Sequence, residues 1–259
     1  MVQKASATEA MTGTGEYLQT TSILDWDHPR VLTFAREAVG AAADPVEKAV
    51  RLYGAVRDRI RYDPYSPFHR AEHYRASEVL RRGRSFCIPK AALLCAAARS
   101  QGIPARIGFA TVKNHLATRQ LLDYLGSNVF VYHGYTDLFL DGRWVKATPA
   151  FHKELCERHG TDPLDFDGRS DSLLHPYDKS RRKFMEYLEY HGFYADVPVQ
   201  TIVDAWKAAY GAERVQGWID ALEKADAASR RIFEDEDVVG RSPAGAMQQV
   251  GICGTQSPR

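Results

Sequence analysis

The segment "RGRSFCIPKAALLCAAARSQGIPAR", Arg82–Arg106, puts a cysteine where a helix begins. Pro89 suits a first helical turn and would break a helix interior. The spacing therefore predicts a helix from about Ser85 to Ser100, closed by Gly102 as a left-handed cap. The first turn of a helix carries unpaired N–H groups and the positive end of the dipole, and both favour a thiolate. Ser85 is a candidate cap, and Arg84 and Lys90 bring positive charge close to Cys87. A cysteine so placed reads either as a small core residue or as an activated nucleophile. Cys95, inside "ALLCAAA", reads as core, and Cys253 lies in a tail.

Upstream, "HPRVLTFAREAVG" and "DPVEKAVRLYGAVRDRIRYD" read as helices. Pro29 and Pro45 sit at first positions, and Asp44 is a candidate N-cap. A Pro- and Tyr-rich connection containing Tyr65 leads to the short helix "ASEVLRRG". Downstream, "IPARIGFATV" reads as a strand. "NVFVYHGYTDLFLDGRWVKATPAF" reads as a β-hairpin turning at Asp141-Gly142. "FHKELCERHG" reads as a short helix, "TDPLDFDGRSDSLLHPYDKS" as a turn-rich loop and "FMEYLEYHG" as a strand. Two helices, "DVPVQTIVDAWKAAYG" and "AERVQGWIDALEKADAASRRIFED", follow. Helices, a cysteine helix, strands and then helices again predict an α+β fold rather than a doubly wound sheet. The expected division is a loose arm over 1–25, one domain over 26–235 and a tail over 236–259.

Net charge is +1 over 259 residues, which gives no basic or acidic surface for nucleic acid or membrane. No run of about 18 apolar residues or secretory h-region is seen. Four cysteines without a CxxC pair fit a cytoplasmic protein with free thiols. His152, Cys156 and His159 share one face of "HKELCERH", but two helical turns, about 10.5 Å, separate the histidines, so no metal site is expected. Nothing points to a cofactor: "GTGEY" lacks the Lys and the strand of a phosphate loop.

A cysteine nucleophile needs a base, and His133 is the histidine inside a confident strand. With a two-residue turn, Leu140 opposes Arg143, Phe139 opposes Trp144 and Asp137 opposes Lys146. By extension Tyr135 opposes Thr148, and His133 opposes Ala150. Alternation then puts His133, Tyr135, Asp137, Phe139, Trp144, Lys146 and Thr148 on one polar and aromatic face. Tyr132, Thr136, Leu138, Leu140, Val145 and Ala147 form the opposite, core-facing one. Thr148 is the diagonal neighbour of His133.

The order of these features resembles the transglutaminase-like superfamily, a branch of papain-like cysteine enzymes. A helix-start cysteine precedes "GIPAR", a strand histidine follows, and the next strand ends "WVKATP". The resemblance covers about 45–150. It implies Cys87 as nucleophile and His133 as base of a Cys-His-Asp triad. It implies a cysteine helix packed on an antiparallel sheet, with helices on either side in sequence. One departure stands out: Thr148 occupies the family's Asp position. Threonine can fix an imidazole tautomer but cannot stabilise imidazolium by charge. Asp137, Asp165, Asp167 and Asp196 are alternative orienters, Asp137 on the correct hairpin face. Tyr135, Trp144 and Tyr65 are expected as substrate wall. Residues after the hairpin resemble the second half of a bacterial transglutaminase-like group of unassigned activity.

The implied chemistry is acyl-enzyme formation on an amide or thioester carbonyl, by an amidase, peptidase or acyltransferase. The partner is then a small-molecule, peptide or carrier-bound acyl substrate. An acyltransferase or cyclase of secondary metabolism and an inactive binding protein are the alternatives. Oligomeric state is not readable from the sequence.

Overall fold

In a computed structural model, residues 13–224, 233–236 and 238 are described. Among them are eight α-helices: α1 (Pro29–Val39), α2 (Pro45–Arg59), α3 (Ala76–Arg82), α4 (Cys87–Ser100), α5 (Arg119–Leu125), α6 (Lys153–His159), α7 (Val199–Tyr210) and α8 (Ala212–Lys224). Strands β1 (Arg61–Tyr62) and β2 (Arg84–Ser85) form a short parallel pair. Strands β3 (Ala105–Asn114), β4 (Val129–Leu140), β5 (Arg143–Ala147) and β6 (Met185–Tyr194) form an antiparallel sheet in the order β5-β4-β3-β6. The fold is α+β. Helix α5 falls in a stretch for which the sequence reading predicted no element.

The cysteine helix α4 is the centre of the core. Ile88 to Arg99 are all buried, so it is enclosed on every side rather than amphipathic. Its alanines let α1, α2 and α3 pack on one side and β4 on the other. The one arginine in this interior, Arg99, is satisfied by three carbonyls: Ala105 at 2.9 Å, Gln19 at 2.7 Å and Ala195 at 2.8 Å. Helix α2 starts as its sequence predicts: the Asp44 carboxylate accepts the Glu47 N–H at 3.0 Å, with Pro45 in the first turn.

Three expectations are corrected. Residues 13–25 are not a loose arm: Ile23 and Leu24 are buried, and Arg99 ties down Gln19. Enough apolar surface is present there to offset the ordering cost. At the other end Glu236 and Val238 are docked. The Glu236 carboxylate accepts from Tyr65 at 2.7 Å and Thr118 at 2.5 Å, and Val238 bridges to Thr118. Cys253 and the rest of the expected tail lie outside the described residues. Ser85 does not cap α4. Its backbone belongs to β2, where its carbonyl accepts the Asp63 N–H at 2.9 Å, and Phe86 is the N-cap residue without a side-chain bond.

The hairpin holds its predicted register from Leu140/Arg143 to Thr136/Ala147, around an Asp141-Gly142 turn with both φ values positive. It then departs from it. β5 stops at Ala147 and the pairs expected for Tyr135 and His133 do not form. Pro149 has no N–H to give a ladder. On the β3 side, a bulge falls between the Ala110/His133 and Val112/Phe130 pairs, and Tyr132 takes φ 59° there. Tyr132 still packs against the core, 5.5 Å from the Phe109 ring, and at this bulge it also stacks on His191, with ring centroids 4.5 Å apart.

Candidate active site

The site forms where β4 runs on past the end of β5. Backbone groups on that edge have lost their strand partner, and other groups replace it. Tyr210 of α7 accepts the Val131 N–H at 2.9 Å and donates to the Val129 carbonyl at 3.1 Å. Trp206, four residues earlier on the same helix face, donates its indole N–H to the Val131 carbonyl at 2.8 Å. The Gly134 N–H turns to the Cys87 sulfur. Cys87 thus sits at the start of α4 and caps an open strand edge at once.

Glycine at 134 is required by this approach. A Cβ there would lie 2.9 Å from Ile88 Cα, backbone against side chain with no room to yield. The strand reaches the helix start only because the residue after His133 has no side chain.

The thiol's surroundings pull in opposite directions. Burial pushes the Cys87 thiol up, and the N–H groups of Gly134, Ile88 and Cys87 itself pull it down; the outcome is about 11. The missing side-chain cap on α4 leaves those helix-start donors free for sulfur. Arg84 and Lys90 do not act as the expected nearby charges. Arg84 lies 3.8 Å from Asp63. Lys90, fully buried, donates to the Arg57 carbonyl at 2.9 Å and to the Ile60 carbonyl, closing the C-terminus of α2. Burial pushes its amine down to about 7.

His133 is buried on β4, and desolvation pushes its imidazole down to about 4. Burial thus favours the neutral form of both the thiol and the imidazole. The His133 Nε2 and Thr148 Oγ1 are both buried without a hydrogen-bond partner. Tyr187 of β6 joins them: its ring meets the His133 ring edge-on at 6.3 Å between centroids, and its hydroxyl faces Thr148 and accepts from Leu174 N at 3.3 Å. Tyr187 was missed from sequence because nothing in "FMEYLEYHG" marks one tyrosine over another.

The alternative orienters are engaged elsewhere. Asp137 takes Arg106 at 2.8 Å, Asp165 takes Arg57 at 2.7 Å and Asp167 accepts the Arg169 and Ser170 N–H groups. Asp196 lies 3.5 Å from Ser22. Asp137 is on the sheet face away from α4, where its partner Arg106 is covered by the Tyr17 ring and by the Phe193 side chain of β6.

Two cavities open on the thiol, and both are lined by Cys87 and His133. The first runs between β3, α6 and the 161–185 loop. The second runs under α7 and α8. They share Tyr62, Leu121 and Phe130. Tyr135, Trp144 and Tyr65, expected as substrate wall, line neither. Tyr135 is buried against Tyr190 and Phe193, Trp144 stacks on Arg106 at 3.9 Å, and Tyr65 is held by Glu236. The bulge and the covering strand explain the first two: the polar hairpin face is an interior seam, not an open wall. Tyr62, Trp206 and Tyr210 are the wall residues that sequence reading overlooked. The aromatic i, i+4 pair on α7 was the available signal.

The candidate metal ligands do not converge. His152 Nδ1 accepts the Tyr62 N–H at 3.1 Å, while Cys156 and His159 face the first cavity. Among the described residues no His/Cys/Asp/Glu group has metal-holding geometry, and no helix is long and apolar enough to cross a membrane.

Residues 32–149, which hold the helix-start cysteine and the strand histidine, are similar to the family model described as transglutaminase-like superfamily. No curated protein matches the chain. Two solved structures resemble it distantly. A candidate cysteine protease from Cytophaga hutchinsonii is 13% identical with a TM-score of 0.41, covering 69% of this chain and 53% of its own. A candidate protease from Parabacteroides distasonis ATCC 8503 is 16% identical with a TM-score of 0.35, covering 56% and 27%. The chain thus spans about half of the first and about a quarter of the second.

Proposed function

We propose that this protein is a cysteine acyl enzyme acting on an amide or thioester carbonyl, with Cys87 as nucleophile and His133 as base. The observation that carries the reading is that these two residues, distant in sequence, line both cavities together. The Cys87 sulfur attacks the carbonyl carbon and its proton passes to His133. The oxygen of the tetrahedral intermediate takes the helix-start N–H of Cys87. His133 returns the proton to the leaving amine or thiol as the bond breaks, leaving an acyl thioester on Cys87. Water or an amine then attacks that thioester, with His133 taking its proton; the carbon–sulfur bond breaks, the acid or amide leaves, and His133 returns the proton to the Cys87 sulfur. Tyr187, edge-on to the imidazole, and Thr148, which its hydroxyl faces, are the groups assigned to orient His133. Because burial favours the neutral thiol, proton transfer to His133 accompanies attack rather than preceding it.

The test is intact-mass detection of an acyl adduct after incubation with p-nitrophenyl acetate. One acetyl group is expected on the wild type and none on Cys87→Ala. An unlabelled wild type would sink the reading. The high thiol pKa favours a second reading, a binding protein that keeps the fold without chemistry. Iodoacetamide alkylation no faster than that of free cysteine, and unchanged in His133→Ala, would select it.

A further inference from the structure

Acyl transfer splits a substrate into two halves around the reacting carbonyl, the acyl group and the leaving or accepting group. The two cavities share Cys87, His133, Tyr62, Leu121 and Phe130, so they meet at the thiol instead of lying one behind the other. Among the described residues, no Lys, Arg, Asp or Glu lines either one.

Their walls differ in the share of rings. The first mixes the aliphatic Val112, Leu116, Leu155, Leu174 and Met185 with the rings of Phe151, Phe184 and Phe233 and the polar Asn114, His159 and Thr161. Phe68, Phe86, Tyr124, Trp206, Tyr210 and Trp218 give the second a lining of rings. Those rings pack on one another: Tyr124 stacks on Trp218 at 4.6 Å and Phe68 tilts on Trp206 at 5.0 Å. The polar tips of Trp206 and Tyr210 are spent on the backbone of β4. A charged group seated in either cavity would lose its hydration and find no counter-ion. An apolar group would gain from both.

We infer that the substrate carries uncharged apolar groups on both sides of its reacting carbonyl, an aliphatic chain in the first cavity and an aromatic ring in the second. This rests on the assignment of Cys87 and His133 above. It places any charged part of a larger substrate, such as a charged peptide side chain or a carrier phosphate, outside the two cavities.

The experiment has two arms. In the first, p-nitrophenyl acetate, octanoate and hemisuccinate are compared for Cys87 acylation by intact mass, each rate normalised to that with free cysteine. Octanoate is expected to label at least about tenfold faster than hemisuccinate, since each buried methylene is worth roughly fourfold. If acetate labels Cys87 in a His133-dependent way while octanoate and hemisuccinate react alike, the acyl-enzyme reading stands and this inference falls. The second arm needs no chemistry. Cys87→Ala protein is titrated with N-phenyloctanamide and with 4-octanamidobenzoate, following tryptophan fluorescence, because Trp206 and Trp218 line the second cavity. Saturable binding of the neutral amide, at least about tenfold tighter than that of the carboxylate, is expected. Equal affinities, or no binding of the neutral amide, overturn the inference whatever the first arm gives.

Discussion

Strand β4 has two halves with opposite characters. From Thr136 to Leu138 it is paired on both edges and backed by the core. Leu138 and Leu140 are buried, and the Thr136 hydroxyl donates to the Ala91 carbonyl at 2.9 Å. From Val129 to Gly134 one edge has no strand. Its backbone is satisfied by Tyr210, Trp206 and the Cys87 sulfur, and Tyr132 carries a strained φ. The regular half builds the fold, and the irregular half builds the site. A strand edge left open beside its neighbour's proline provides a place for a thiol.

The sharpest break between the halves is chemical. Cys87→Ala is expected to abolish acyl-adduct formation entirely, and His133→Ala to slow it roughly 10²–10⁴-fold. Neither should disturb the paired half, which hydrogen exchange at Leu138 and Leu140 would check. Next in size is Gly134→Val. Its side chain must displace β4 from Ile88, at a cost of about 3 kcal/mol in urea unfolding and with at least tenfold slower acylation.

A comparable effect follows from pH. The folded pKa of His133, about 4, lies below its ordinary 6.5, so the folded state binds fewer protons than the unfolded one between these values. Its contribution is intact above pH 6.5 and is lost as pH falls through 4, by about 3 kcal/mol in all. Urea midpoints measured against pH should show that slope reduced in His133→Asn. An unchanged slope would mean the imidazole is not held neutral.

Tyr210→Phe removes the partner of Val131 N–H and Val129 C=O, and should cost about 1–3 kcal/mol and slow acylation severalfold. The control in the paired half is Thr136→Val, expected to cost about 1 kcal/mol with acylation unchanged. Smallest is Thr148→Ala, a few-fold loss in acylation rate if Tyr187 shares the orienting role. Thr148→Asp should raise the His133 pKa, read by NMR titration, because a carboxylate stabilises imidazolium where a hydroxyl does not.

The sequence by itself determined the cysteine at the helix start, the helices of the first half, the hairpin and its register as far as Thr136. Those features rest on local rules: proline in a first turn, an aspartate cap, two positive φ values at Asp141-Gly142, and period-two alternation. Through the order of its motifs it also put Cys87 and His133 forward together, and both line the two cavities. Only the tertiary structure decided where the bulge falls, because a bulge depends on what packs against it. It decided that Lys90 turns from the thiol to the end of α2, since a buried ammonium goes where carbonyls are left over. It brought Tyr187, Trp206 and Tyr210 to the site from elements far along the chain. Polar groups at the open strand edge must be satisfied by whatever the fold delivers there, and no local pattern encodes that delivery.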